Sequence, residues 1–291
     1  MQLRAVYLDA PTGKVIATEE WPTDSRTSAV VAAHDGILVV QTGSELILNS
    51  RTARDIKKLS LPPESSWVSY SSQSGKHALL IGLGSLGSKV PWVWVDVDNL
   101  TVVKQWEDVQ SGWVSISDNM IVMTACLWVH HCDSKVEVKG LNTGWNTIVS
   151  SDQHHRPYPQ FISDKLLVLR DFPDRLEVVK TNGDAIVTEE MDKRTKDQGW
   201  GRAYVSANGR RFIIPADVIK GRIDALDVGG HGVLKDILVY DAPFEDRSYT
   251  LQLKRGVREN NMLFALSPDG SKLAILNDEV MEVFDLPRPT H

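Results

Sequence analysis

Residues 264–276 read Phe264-Ala265-Leu266-Ser267-Pro268-Asp269-Gly270-Ser271-Lys272-Leu273-Ala274-Ile275-Leu276, and Val283-Phe284-Asp285-Leu286-Pro287 follow shortly after. An apolar strand ends in Ser, a Pro-Asp-Gly turn reverses the chain, and a second apolar run returns. Pro, Asp and Gly suit such a reversal because Pro presets φ, Asp bonds its own backbone and Gly accepts positive φ. Related anchors are Ala33-His34-Asp35-Gly36, Ser72-Gln73-Ser74-Gly75, Ser117-Asp118-Asn119, Ser163-Asp164 and Ser206-Ala207-Asn208-Gly209. They recur roughly every 40–45 residues, a period that marks a repeat architecture. The interval from Ser206 to Ser267 is longer and carries a Gly- and Asp-rich insertion around Asp227-Val228-Gly229-Gly230-His231-Gly232.

Each turn precedes a nearly continuous apolar run: Ile37–Val40, Ala78–Ile81, Ile121–Met123, Leu166–Leu169, Phe212–Ile214 and Leu273–Leu276. Strands that are apolar at every position are buried on both faces. Next comes a strand that alternates, often ending near Asp: Leu46–Asn49, Val93–Asp96, Val136–Val138, Leu176–Val179, Ile237–Asp241 and Met281–Asp285. A polar-alternating fourth strand closes the unit, as in Thr101–Trp106 or Tyr249–Lys254. Alternation gives one solvated face, as expected at the outer edge of a sheet. No helix with a 3.6-residue apolar period is evident.

Units therefore begin near Arg26, Ser66, Gly112, Arg156, Gly199 and Asn260, and residues 3–21 read as a third and fourth strand without an inner pair. Thr12–Trp21 repeats Asn182–Met191 almost position for position, a turn and outer strand copied between units. The expected fold is all-β: one β-propeller domain spanning residues 1–291, with four-stranded antiparallel blades numbering six or seven. Ring closure by strands from both termini removes exposed edges, with the N-terminal fourth strand completing the last blade; the alternative is a half-built N-terminal blade.

The segment Phe264–Leu276 with Val283–Pro287 resembles a bacterial WD40-like or YVTN-type propeller repeat. The match covers one unit well, and no unit carries a full Gly-His…Trp-Asp signature. The resemblance implies the propeller fold, and the likeness of YVTN-type propellers to the lactonase group implies a possible hydrolase. Fold alone does not fix function.

Bulk properties narrow the field. The chain has 291 residues and a net charge of −6, with no Lys/Arg cluster, which argues against a nucleic-acid surface. No apolar run reaches the ~20 residues needed to span a bilayer. The N-terminal residues alternate like a strand and show no signal-peptide core. A monomer is expected.

Several residues invite chemistry. Gly82-Leu83-Gly84-Ser85-Leu86-Gly87 matches G-x-G-x-x-G but leads into Val90–Val95, a strand, where a dinucleotide motif opens a helix. Glu19-Glu20 and Glu189-Glu190 sit alike at the ends of outer strands, where charge blocks edge pairing. The segment Cys126-Leu127-Trp128-Val129-His130-His131-Cys132 holds both cysteines of the chain. It admits a disulfide, a metal site joined by His154-His155, or free thiols; the disulfide would point to an extracytoplasmic, oxidising compartment.

In this topology the loops joining second to third strands share a face with those joining one blade to the next. That gathers the Cys126–Cys132 loop, His154, His155, the Gly82 loop and the 217–236 insertion on one face, where binding usually resides. Trp67, Trp113 and Trp200 begin innermost strands, with Tyr158 near the equivalent place. Such rings either stack on a ligand at the channel mouth or pack between blades. The leading expectation is a non-enzymatic module taking a protein or small-molecule ligand on the long-loop face through Trp67, Trp113, Trp200, Tyr158, His154 and His155. The rival is a lactonase-like or other hydrolase recruiting His154, His155, His231 and Asp227, and a third reading is a metal-dependent module centred on His130 and His131.

Overall fold

A computed structural model describes residues 2–8, 14–22, 29–34, 37–42, 44–50, 56–62, 67–83, 89–110, 112–128, 131–150, 157–171, 175–190, 203–217, 233–245, 247–258, 262–277 and 280–288. The chain is all-β, an antiparallel β-propeller, with no helix among the described residues. It divides into two compact units, residues 1–119 with 125–132, and residues 120–124 with 133–291.

The first unit opens with a two-stranded ribbon, β1 (Gln2–Leu8) and β2 (Val15–Pro22). Blade 1 follows as β3 (Ala29–His34), β4 (Ile37–Thr42), β5 (Glu45–Ser50) and β6 (Ile56–Ser60). Blade 2 is β7 (Trp67–Ser71), β8 (His77–Gly82), β9 (Lys89–Asp96) and β10 (Thr101–Gln110). Both blades pair in sequence order, first strand to fourth. Val39, Leu46 and Leu48 of blade 1 pack with Leu80, Val93 and Val95 of blade 2 in one buried cluster. Packing of this kind is why β8 is apolar, with Ala78 and Leu80 in the same cluster.

Blade 3 has the order β11 (Gly112–Ile116), β12 (Met120–Trp128), β13 (His131–Gly140) and β14 (Trp145–Ser150), and the division between units runs through it. The second unit continues with blade 4, β15 (Pro157–Ser163), β16 (Leu166–Asp171), β17 (Arg175–Lys180) and β18 (Ala185–Glu190). Blade 5 is β19 (Tyr204–Val205), β20 (Arg211–Asp217), β21 (Val233–Asp241) and β22 (Tyr249–Arg258). The last blade has β23 (Met262–Leu266), β24 (Lys272–Asn277) and β25 (Val280–Asp285), three strands among the described residues. Its Leu273 and Ile275 pack on Ile213, Ile237 and Val239 of blade 5.

The expected second and third strands all form. β1 and β2 form the anticipated antiparallel pair, with Leu3 opposite Trp21 and Val6 opposite Thr18, so the partner of β2 is β1. Glu19 of β2 accepts a hydrogen bond from Asn49 Nδ2 of β5 at 2.7 Å.

Candidate functional site

Three of the hairpins between first and second strands share one hydrogen-bond pattern, built from the anchor residues. Ser72 Oγ accepts the His77 amide at 3.2 Å, Ser206 Oγ the Arg211 amide at 3.1 Å, and Ser267 Oγ the Lys272 amide at 2.9 Å. Two residues on, Ser74, Asn208 and Asp269 accept the amides of Lys76, Arg210 and Ser271. The glycines that follow, Gly75, Gly209 and Gly270, sit at φ of 74°, 65° and 74°, the left-handed region that strains a side chain. Asp269 lies in the most fully bonded of these turns. Donors from Ser267 and from the Ser271 amide and hydroxyl hold its carboxyl down to about 2.

In blades 2 and 5 the residue that starts the second strand reaches from its turn to a neighbouring blade. His77 Nδ1 lies 3.2 Å from Asp118 Oδ1, and Ser74 Oγ donates to that same oxygen at 2.6 Å. Burial alone would raise the Asp118 carboxyl. Hydrogen bonds from Ser74, Ser72 and His77, with the charge of His77, outweigh it and hold the group below its ordinary value. The set contains Ser, His and Asp, yet it lacks the geometry of a nucleophile. A general base must touch the hydroxyl it activates. Here serine and imidazole both converge on the carboxylate, which makes a clamp between the turns of blades 2 and 3.

The second clamp is larger. Arg211 is fully buried, and its Nε and Nη2 grip both oxygens of Asp241, the latter at 2.9 Å. Nη1 donates to the Gly270 carbonyl at 2.6 Å and Nη2 to the Pro287 carbonyl at 2.7 Å. The planar fork of guanidinium suits such simultaneous recognition. Tyr249 stacks beside it, 5.9 Å from the guanidinium carbon, and burial pushes its phenol up, with the opposed charges of Arg211 and Asp241 acting second.

The aromatic candidates separate. Trp67 is 7% exposed and belongs to the core between blades 1 and 2, whereas Trp113 is 44% exposed on β11. The reason is register. Trp67 precedes its anchor Ser72 by five residues and Trp113 precedes Ser117 by four. A slip of one residue sends a strand side chain to the opposite face. The two positions are therefore not equivalent, contrary to the match suggested by their flanking sequence. Tyr158 is half-buried opposite Arg170.

Trp200, His154, His155, His130, His231 and Asp227 lie outside the described residues, as does most of the 217–236 insertion. Cys126 and Cys132 fall on β12 and β13, neighbouring strands of one sheet, and their side chains lie outside the described set together with that of His131. The glycine segment after Gly82 does lead into a strand, β9, rather than a helix. Among the described residues no group of three or more His, Cys, Asp or Glu is placed to hold a metal, and no helix is long and apolar enough to cross a membrane. The anchor clamps were not foreseen, although the residue following each turn, five beyond the anchor Ser, was the available signal.

No family model matches the chain, and no curated protein matches it. Solved structures do. The chain is similar to Kluyvelomyces marxianus Hsv2 at 13% identity and a TM-score of 0.55, covering 88% of this chain and 70% of that one. It is similar to Kuenenia stuttgartiensis hydrazine synthase at 12% identity and a TM-score of 0.54, covering 91% and 80%. Dihydro-heme d1 dehydrogenase NirN in complex with DHE matches at 10% identity and a TM-score of 0.52, covering 99% of this chain and 60% of that one. At these identities the likeness shows the β-propeller fold and nothing of activity.

Proposed function

We propose that this chain is a non-enzymatic binding propeller that takes a protein or small-molecule ligand around the channel, on the face of its long loops. The observation that carries this is Trp113, a large ring left 44% exposed on an innermost strand. Exposed aromatic area forfeits burial energy in the free protein and returns it when a ligand covers the ring. The repeated Ser-anchored hairpins support reading the blades as WD40-like, YVTN-type units within one domain spanning residues 1–291.

The test uses fluorine-labelled tryptophan. Peptides and small aromatic or sugar ligands are screened for a shift of the Trp113 resonance, assigned with Trp113→Phe. A ligand that shifts Trp113, leaves Trp67 unchanged and loses affinity at least tenfold on Trp113→Ala supports the reading. Absence of any Trp113 response across the screen, or turnover of a lactone or ester by the same protein, overturns it.

A further inference from the structure

The turns that join third to fourth strands differ in length. Four residues form this turn in blade 2 (97–100), blade 3 (141–144) and blade 4 (181–184), and seven form it in blade 5 (242–248). The turns of blades 4 and 5 begin alike. The Thr181 and Ala242 amides donate to the carbonyls of Lys165 and Arg210 at 2.9 and 2.8 Å. The Gly183 and Phe244 amides donate to the carbonyls of Lys180 and Asp241, both at 2.8 Å. Phe244 therefore stands where blade 4 has Gly183, and both adopt positive φ, +66° and +98°. Glycine does so without strain, whereas a bulky side chain in that region is an outlier.

The ring is what holds Phe244 there. It is 2% exposed and belongs to the buried cluster between blades 4 and 5, with Ile162, Leu176 and Val178 from blade 4 and Phe212 and Tyr240 from blade 5. Phe212 and Tyr240 stack at 4.6 Å with an interplanar angle of 8°, and the Phe244 ring tilts onto Phe212 at 5.4 Å. Pro243, Glu245, Arg247 and Ser248 along the same turn are all exposed. Left-handed strain in a residue with a side chain is similar in size to the gain from burying one ring, so the two nearly offset each other. The additional length of the blade 5 turn gives it slack to move while the Ala242 amide stays bonded to Arg210.

We infer that the groove beneath Phe244 is a binding site for a small uncharged aromatic ring, which the chain fills with its own side chain until the 242–248 turn swings out as a strap. An incoming ring takes over the contact with Phe212 and releases Phe244 from the left-handed region. The surrounding cluster is aliphatic and aromatic, so a charged ring would lose its hydration without compensation. A site of this kind is a minor conformation that its ligand makes dominant. It uses blades 4 and 5 alone and is separate from the surface around Trp113.

Fluorobenzene, followed by its fluorine resonance, is the probe, with benzoate as the charged comparator. The whole protein is titrated as the parent, as Phe244→Gly and as Phe244→Ala. Phe244→Gly removes ring and strain together and should bind fluorobenzene saturably. The parent should bind it at least about tenfold more weakly, because only molecules with the strap open are competent. In the parent, bound fluorobenzene should speed exchange of the Phe244 amide and leave that of Ala242 unchanged. Phe244→Gly should melt above Phe244→Ala, which keeps the strained φ without the ring. Binding to the variants with no change of Phe244 exchange in the parent would make the ring fixed packing and overturn the inference. So would an absence of binding by both folded variants, equal binding of benzoate, or equal melts of the two variants. Where a variant fails to fold, the exchange response of the parent decides alone.

Discussion

Arg211 Nη1 donates to the carbonyl oxygen of Gly270 across 2.6 Å, tying the turn of blade 5 to the turn of the last blade. The contact works because the glycine lets the backbone approach. A Cβ at Gly270 would stand 3.1 Å from the Arg211 Cβ, and the φ of +74° is itself one that side chains resist. The same guanidinium holds Asp241, which is 10% exposed at its side chain. Arg211→Met should therefore destabilise by about 3–5 kcal/mol, because it strands a buried carboxylate. Asp241→Asn with Arg211→Met should recover part of that loss. Urea unfolding of the single and double variants measures it, and equal losses in both would show that the carboxylate is not the source.

Gly209 tests the turn pattern itself. Its φ is +65° and an added Cβ would sit 2.8 Å from the Ile162 carbonyl oxygen, a backbone atom that cannot swing aside. Gly209→Ala is expected to cost more than the ~1–2 kcal/mol that a left-handed conformation alone imposes on a non-glycine residue. Gly144→Ala is the control, since nothing lies within 4 Å of its Cβ position. Thermal melts of the two variants should differ by several degrees. Matching melts would mean that the hairpin relaxes around the added methyl.

Much of this was legible in the residues, and the reasons are local. Strand type follows from apolar patterning, so Leu166–Leu169 and Leu273–Leu276 declare doubly buried second strands, and the Ser-x-Asp-Gly spacing fixes the hairpins. What was not legible depends on counting residues from an anchor or on relations between blades. Trp67 and Trp113 look alike in their neighbours but differ by one residue from their anchors, and period-two alternation turns that into opposite faces. The clamp of Arg211 joins residues as distant as Pro287, so no window of sequence displays it.

Asp118 should give the first unit an acid-sensitive seam. Its carboxyl titrates below the ordinary value of 3.8, owing to donors that outweigh the effect of burial. A carboxylate whose folded pKa is depressed contributes stability above its unfolded pKa and loses it as pH falls through the folded one. The clamp's contribution is therefore intact at neutral pH, begins to fade below 3.8 and is gone once the lowered pKa is passed. Asp118→Asn should flatten the stability profile in that window while leaving its shape above pH 5 unchanged, to within the contribution of other groups. Chemical denaturation at closely spaced acid pH values reads this. An unaltered acid limb would show that Ser74 and His77 do not stabilise the charged form.

The two tryptophans supply the sharpest separation of packing from binding. Trp67 fills the space between blades 1 and 2 with Val31, Leu61 and Val95, and its Nε1 has no hydrogen-bond partner among the described residues. Truncating it opens a cavity that close-packed neighbours only partly refill, so Trp67→Ala should cost about 3–5 kcal/mol. Trp113, on the opposite phase of its strand and 44% exposed, has far less contact to lose. Trp113→Ala should change stability by at most about 1 kcal/mol, in the range typical of surface positions or slightly above. Urea titrations of the two variants under one condition decide the matter. Equal, large losses would mean that the Trp113 ring is held by the fold rather than offered to a ligand, and the binding surface would then have to be sought away from the innermost strands.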